Sequence, residues 1–182
     1  RAIPSAAGEI DAGPTVFTQR PVFEALFEAA GTSLDAELTV TRAELLARNA
    51  WPDGSVLDLF DDPARSEAAV EAFAGPAEAA AFRDFTARCR RLYEALEGPV
   101  MAAEAPTPLS VALATIGDSR RLMVDAAPLA DLWTALGRQF ADPRLRQLFA
   151  RFSTYVGGSP MLSPALLMLI WWSEAAGVWT LE

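Results

Sequence analysis

The sequence predicts an α+β domain that is mostly helical and carries a small antiparallel or mixed sheet. Runs of strand-forming residues lie near the start and at the end of the chain, and alanine-rich stretches with helical spacing of apolar residues fill most of the remainder. The 182 residues are 52% hydrophobic, which is enough for one sizeable core. We expect a single unit with a strand-rich part at 1–60, a helical part at 61–156, and an apolar helix with a closing strand at 157–182.

The composition excludes several classes of function. A net charge of -9 and a pI near 4.6 argue against nucleic-acid binding and against electrostatic attachment to anionic lipid. The chain has no histidine and no lysine, which excludes a Ser-His-Asp triad, a Schiff base and a P-loop and leaves no usual metal site. Its single cysteine, Cys89, lies among apolar helix residues, so we predict a buried thiol and a reducing compartment. The sequence begins at Arg1 without a signal-peptide pattern, which suggests a piece of a longer protein.

The first predicted strand is interrupted. Ile10, Val16 and Phe17 are strand formers, but Gly13 and Pro14 lie between them. Pro14 cannot donate to a ladder, and Gly13 permits a bend or the close approach of another group. The segment is therefore either a kinked edge strand or a bare backbone against which a flat, polar-edged group lies.

An amphipathic helix is expected next. Thr18 can cap it, Pro21 suits its first turn, and Gly31 can end it. Its apolar face consists of four residues spaced three and four apart, Phe23, Leu26, Phe27 and Ala30.

A β-hairpin is predicted after a short strand at 38–41. Apolar runs at 45–51 and 56–60 flank the turn-forming sequence Pro52-Asp53-Gly54-Ser55. The first run also contains poor strand formers such as Arg48, so a helical turn there is the alternative.

From Asp62 onward the pattern is helical. Asp62-Pro63 and Gly75-Pro76 each supply a cap and a first-turn proline, and the second of these helices is long and ends at Gly98-Pro99. Its core face is predicted to contain Phe82, Phe85, Cys89, Leu92, Tyr93 and Leu96. We interpret its arginines as a solvated face: Arg83, Arg88, Arg90 and Arg91.

Shorter helices are predicted between this helix and residue 152. A stiff connector at 105–108 leads into one that ends at Gly117, and three more follow, broken at Ala127-Pro128 and Asp142-Pro143. The last runs into Gly157-Gly158, which is either a plain loop between helices or a place where the backbone approaches a ligand.

The stretch from Leu166 to Trp172 contains seven large apolar residues in a row. Ser163 as a cap, Pro164 at the first helical position and Gly177 as a stop specify a helix of roughly 13 residues, about 20 Å long. A bilayer core needs roughly 30 Å, so this helix is too short to span one. We therefore expect it to be internal or to line an apolar cavity.

Two stretches resemble a known family. They are residues 8–16, GEIDAGPTV, and residues 155–160, YVGGSP, which lead through the apolar helix to Gly177-Val178-Trp179. Both stretches are similar to the phytoene desaturase family of flavin-dependent carotenoid desaturases, and so is the order of the segments between them. Within this family, the chain is most similar to the bacterial 1-hydroxycarotenoid 3,4-desaturases, also called methoxyneurosporene dehydrogenases. The resemblance covers nearly the whole chain. It implies the substrate-binding portion of an amine-oxidase-like flavoenzyme, with the Rossmann FAD-binding segments absent.

The resemblance also implies roles for particular residues. Those implied to border the FAD ring are Asp11, Gly13, Pro14 and Thr15. Those implied to line a tunnel for a long polyene are Tyr155, Gly157, Gly158, Leu166, Ile170 and Trp171. Asp125 and Arg121 are candidate catalytic groups, although this sequence departs there from the acid and arginine of some relatives.

The implied activity is that of an oxidoreductase of carotenoid biosynthesis. It would remove two hydrogens from an acyclic hydroxy- or methoxy-carotenoid, such as a neurosporene derivative, with hydride passing to the flavin. The implied protein is cytoplasmic and peripherally membrane-associated, and the isolated fragment is expected to be inactive and to self-associate through exposed apolar surface. The alternatives are a carotenoid isomerase, another flavin oxidase of an apolar substrate, or a non-enzymatic helical module for an apolar ligand or partner.

Overall fold

The fold was obtained as a computed structural model, which describes residues 2–6, 8–11, 17–98, 102–105, 107, 125 and 130–181. The strands are β1 (Ala2–Ser5), β2 (Gly8–Asp11), β3 (Val40–Arg42), β4 (Leu45–Ala50), β5 (Val56–Phe60) and β6 (Trp179–Leu181). The α-helices are α1 (Arg20–Ala29), α2 (Leu34–Glu37), α3 (Pro63–Ala74), α4 (Pro76–Leu96), α5 (Leu132–Gln139), α6 (Pro143–Ala150) and α7 (Ile170–Ala175), with 3₁₀ helices at Arg151–Val156 and Ala165–Leu169. The predicted fold class, α+β and mostly helical, is confirmed.

The strands of the described residues form three separate antiparallel pairs. β1 pairs with β2, β4 with β5, and β3 with β6, so the predicted small sheet consists of three ribbons. β6 is the predicted closing strand, and it lies opposite β3 with Thr41 facing Thr180. Sequence patterning missed β1, which contains Pro4 and makes its pairs only with β2.

The predicted hairpin is present. Its two strands, β4 and β5, join through a turn in which Trp51 donates its backbone N–H to the Ser55 carbonyl at 3.0 Å. The Asp53 carboxylate accepts the backbone N–H of Ser55 at 2.9 Å, as aspartate does in such turns. The alternative of a helical turn at 45–51 is therefore wrong.

One core lies around α4, whose buried face follows the predicted spacing closely. Phe82, Phe85, Cys89, Leu92 and Leu96 are all buried, whereas Tyr93 is only partly covered. Phe149 of α6 lies at the centre of this core, with its ring 4.6 Å from the Phe85 ring and 5.3 Å from the Phe140 ring. Cys89 is buried, so the prediction of a core cysteine is confirmed, and burial raises the pKa of its thiol.

Aspartate caps set the starts of three helices. Asp62 accepts the backbone N–H of Ala64, and Asp142 accepts that of Arg144, each at 2.8 Å. Both stand directly before the proline that opens the helix, as predicted. Asp131 caps α5 by accepting from both the backbone and the hydroxyl of Thr134.

Helix α1 differs from the prediction in its start and in its packing. Thr18 does not cap it, because the cap position is Gln19, whose φ is 54° and whose side chain makes no cap hydrogen bond. None of the residues of the expected apolar face is buried within the described part of the chain: Leu26 is 64% exposed and Phe23 38%.

The apolar segment begins as a 3₁₀ helix and continues as α7. The predicted cap at Ser163 is wrong, since Pro164 occupies the cap position in an extended conformation, and the helical run covers residues 165–175. Gly177 follows the last turn with φ 145°, so the predicted stop is confirmed. Ala165, Met168 and Trp171 are buried, whereas the intervening residues are only partly covered. One face of the segment therefore belongs to the core.

Candidate functional site

A cleft of about 280 Å³ lies where α7 meets α4 and the end of β5. Trp171, Trp172 and Ala175 of α7 form one wall, and Phe82, Thr86 and Ala87 of α4 form another. Phe60 and Pro63 close the far side. The lining is mostly apolar, and such a site favours an apolar ligand because burial of apolar surface supplies the binding free energy.

Trp171 is fixed at the base of this cleft. Its side chain is 2% exposed, and its ring centre lies 5.6 Å from that of Phe82 and 5.4 Å from that of Phe149. Its indole N–H donates to the Thr86 hydroxyl oxygen at 2.9 Å. Because a buried indole needs an acceptor, this bond fixes the ring orientation. Of the predicted substrate-binding residues, Trp171 is the one that lines the cleft.

Charged side chains stand at the mouth of the cleft, already paired. Arg83 is bonded to Glu67, and Arg90 is bonded to Glu94 at 2.7 Å while its guanidinium lies 5.3 Å from the centre of the Trp172 ring. These pairs are exposed, so they contribute little to stability, but they give the apolar cleft a polar rim.

Tyr155 belongs to a second, separate arrangement. Its hydroxyl donates at 2.9 Å to the carboxylate of Glu174, which is buried and also accepts two bonds from Arg151. Burial, and then the neighbouring Glu174 carboxylate, raise the pKa of Tyr155. This cluster ties the 151–156 helix to α7. Sequence reasoning missed it, since Arg151 and Glu174 stand 23 residues apart and neither fits a motif.

Gly157 and Gly158 form a turn that packs on its own chain. Gly157 has φ 64°, a left-handed conformation that favours glycine. A Cβ on Gly158 would lie 2.6 Å from the Ser163 hydroxyl oxygen. Of the two interpretations left open, the plain loop is therefore the one the packing favours, because the space beside Gly158 is filled by Ser163.

Asp125 is buried against α4. Its carboxylate accepts from Arg91 at 2.8 Å, and its backbone carbonyl accepts from Arg88 at 2.8 Å. Burial lowers the pKa of the Arg88 guanidinium. The interpretation of all four α4 arginines as a solvated face is therefore wrong for Arg88 and Arg91, which hold Asp125 in place. Arg121, the other candidate catalytic group, lies outside the described residues.

The remaining predicted site residues that the structure describes do not line the cleft. Leu166 and Ile170 are partly buried and pack against the core. Asp11 ends β2, with its backbone opposite Ala2. Gly13, Pro14 and Thr15 lie outside the described residues.

The described part of the chain contains neither a metal-ligand cluster nor a membrane-spanning helix. No cluster there combines three or more of the acidic, cysteine or histidine side chains that hold metal ions. Nor does any helix there combine the length and apolar character needed to cross a membrane.

Known proteins resemble the whole chain. Over all 182 residues it is 46% identical to the hydroxyneurosporene desaturase of Rhodobacter capsulatus and 47% identical to that of Cereibacter sphaeroides. Over 177 residues it is 33% identical to the phytoene dehydrogenase of Streptomyces griseus. The chain spans 37% of the length of the first two relatives and 33% of the third. No family model matches it.

Proposed function

Since this chain is related along its whole length to the carotenoid desaturases, we propose that the full-length protein is an oxidoreductase that dehydrogenates an acyclic hydroxylated or methoxylated carotenoid. The observation that carries the proposal is the identity of 46% to 47% with hydroxyneurosporene desaturases over every residue of the chain. The apolar cleft beside Trp171 supports it, because a polyene can be held only by apolar walls.

The proposed cofactor is FAD, bound by the full-length protein. Asp11, Gly13, Pro14 and Thr15 would border its ring, as the resemblance of residues 8–16 implies. A glycine such as Gly13 leaves the backbone open to a flat ring. When bound, FAD would accept the hydride. The residues of this chain would hold and orient the polyene and keep water away from it.

The experiment is reconstitution of the full-length protein with FAD and an acyclic 1-hydroxycarotenoid in liposomes. We expect a product two hydrogens lighter, with its absorption shifted to the red by one more conjugated double bond. A product of unchanged mass would identify an isomerase instead. Saturable binding of the carotenoid without any product would favour a non-enzymatic binding module.

The protein is further proposed to be cytoplasmic and to touch the membrane peripherally, through the loop between the two 3₁₀ helices. There Leu162 is 87% exposed and Met161 58%, and Val156, the last residue of the preceding 3₁₀ helix, is 60% exposed. Backbone bonds hold the loop: Trp133 donates to the Pro160 carbonyl at 3.0 Å, and Leu132 donates to the Ser163 carbonyl at 2.8 Å. A rigid loop with apolar tips suits insertion among uncharged lipid headgroups, given the net charge of -9.

Flotation with phosphatidylcholine vesicles tests this membrane contact. Changing Met161 and Leu162 to serine should move most of the full-length protein from the vesicle fraction to the soluble fraction. Changing Val22 and Leu26 to serine is the control, because these apolar residues are also exposed, at 60% and 64%, but lie on α1. Equal loss of flotation in both variants would contradict the assignment to the loop.

The isolated chain is proposed to be inactive and to self-associate. The exposed apolar residues of α1 support self-association, which sedimentation velocity over a range of concentrations would detect. A strictly monomeric chain would contradict it.

A further inference from the structure

Thr86 is a polar group set into an apolar wall of the cleft. Its hydroxyl oxygen accepts the Trp171 indole N–H, so one lone pair is used. Its hydroxyl hydrogen has no acceptor among the residues that the structure describes, unlike Ser153 and Thr154, which donate to carbonyls three residues earlier. Thr86 is half-buried and lines the open space, so this hydrogen is available to a ligand in the cleft.

The acidic and hydroxyl groups elsewhere in the lining are already occupied. The Ser66 hydroxyl both donates to the Phe60 carbonyl and accepts the Phe60 N–H, at 2.9 and 2.8 Å. Asp61 accepts from Arg42 at 3.1 Å, and Glu67 is bonded to Arg83 at the rim. The other charged donors of the lining, Arg83 and Arg90, are bonded to Glu67 and Glu94 at the rim. Between the apolar walls, the Thr86 hydroxyl is therefore the donor that a ligand oxygen would meet.

We propose that this cleft receives the oxygen-bearing end of the carotenoid and that Thr86 donates a hydrogen bond to that oxygen, which makes Thr86 a specificity-determining residue. The inference rests on the proposed function. A cleft of about 280 Å³ is at the lower limit of sites for drug-sized ligands, so it suits one end of a long polyene. The rest of the polyene would leave the cleft past Trp172.

Because Thr86 donates a hydrogen bond, it decides which carotenoid end groups the cleft accepts. A hydroxyl and a methoxy group each present an oxygen that accepts a hydrogen bond, so both fit. A plain hydrocarbon end offers no acceptor and displaces the water that would otherwise satisfy Thr86. The cleft therefore selects oxygenated ends over hydrocarbon ends, and the selection depends on one side chain.

The test compares kcat/KM of the full-length enzyme for a 1-hydroxycarotenoid and for the corresponding hydrocarbon. In Thr86→Val, which keeps the shape and removes the hydroxyl, the preference for the hydroxylated substrate should fall by about tenfold, mainly through a higher KM. Thr86→Ser, which keeps the hydroxyl, should restore most of the preference. An unchanged preference in Thr86→Val overturns the proposal.

A second variant covers the case in which the loss of the Trp171 bond disturbs folding. Ala87 is an exposed residue of the lining, so Ala87→Phe fills the cleft while sparing the core. The KM for the hydroxylated substrate should rise at least tenfold with a smaller change in kcat. An unchanged KM would show that the end of the substrate binds elsewhere or that another segment covers the cleft, and would overturn the inference. If the wild-type enzyme turns over no carotenoid at all, the proposed function itself fails.

Discussion

Helices α1 and α4 both carry apolar residues spaced three and four apart, but they differ in how far those residues are buried. Along α4 the residues spaced three and four apart are buried, and Phe85 has no exposed surface. Along α1 none of the corresponding residues is buried within the described part of the chain, and Leu26 keeps 64% of its surface. Periodicity therefore establishes which face of a helix is apolar, but what covers that face is decided by the packing of distant segments.

The largest expected difference between the two regions is in stability. Phe149→Ala removes the ring from α6 that packs at the centre of the core around α4. It should lower the free energy of unfolding of the chain by about 3 to 5 kcal/mol. Leu26→Ala on α1 should change it by less than about 0.5 kcal/mol. Urea unfolding followed by circular dichroism measures both. Similar losses would mean that α1 is packed in solution.

A buried ion pair should likewise contribute more to stability than an exposed one. Arg151→Met leaves the buried Glu174 carboxylate without its cation and should cost about 2 to 3 kcal/mol. Arg90→Met breaks an exposed pair with Glu94 and should cost less than about 1 kcal/mol. Unfolding midpoints of the two variants give the comparison, and a larger loss for Arg90→Met would reverse it.

How closely the chain packs on itself can be measured at Gly158. Gly158→Ala should cost about 1 to 2 kcal/mol because its Cβ meets the Ser163 hydroxyl. Adding Ser163→Ala should recover part of that loss, and a double-mutant cycle measures the coupling. Additive effects would show that Ser163 does not fill the space.

The smallest expected effect concerns the helix starts. Asp142→Ala removes the cap of α6 and should cost about 1 kcal/mol. Gln19→Ala removes no cap bond, only a long hydrogen bond of 3.3 Å to the Ser173 hydroxyl, and should cost less than about 0.5 kcal/mol. The bond from Arg144 lowers the pKa of Asp142. A lowered folded-state pKa gives stability that is present above the ordinary carboxyl pKa and is lost as the pH falls through the folded value. The free energy of unfolding, measured at pH 7 and below pH 4, should therefore fall less on acidification in Asp142→Ala than in the wild type.

Local signals in the sequence predicted much of this fold. Asp62-Pro63, Asp142-Pro143 and the turn at 52–55 act through atoms a few residues away, so their chemistry can be read from the chain. The long helix α4 was also predicted, because a stripe of apolar residues fixes both its type and its buried face.

What the sequence could not reveal depends on distant partners. Arg88 and Arg91 look like solvent-facing arginines until Asp125, more than thirty residues later, is placed between them. The Thr86 hydroxyl has a role only because Trp171, 85 residues away, uses its oxygen. The predicted substrate-binding residues likewise came from one stretch, 155–171, whereas the cleft takes its walls from α4, α7 and the end of β5.

The pairing of β3 with β6 has a consequence for how the chain folds. Thr41 and Thr180 are joined across 139 residues, so this ribbon closes one of the longest loops in the molecule. Contacts of such sequence separation form late, because the local helices and hairpin close at a much smaller cost in chain entropy. During synthesis β3 must wait for β6 to leave the ribosome before this ribbon can form. Until then the edge of β3 that β6 covers is open to pairing with other strands.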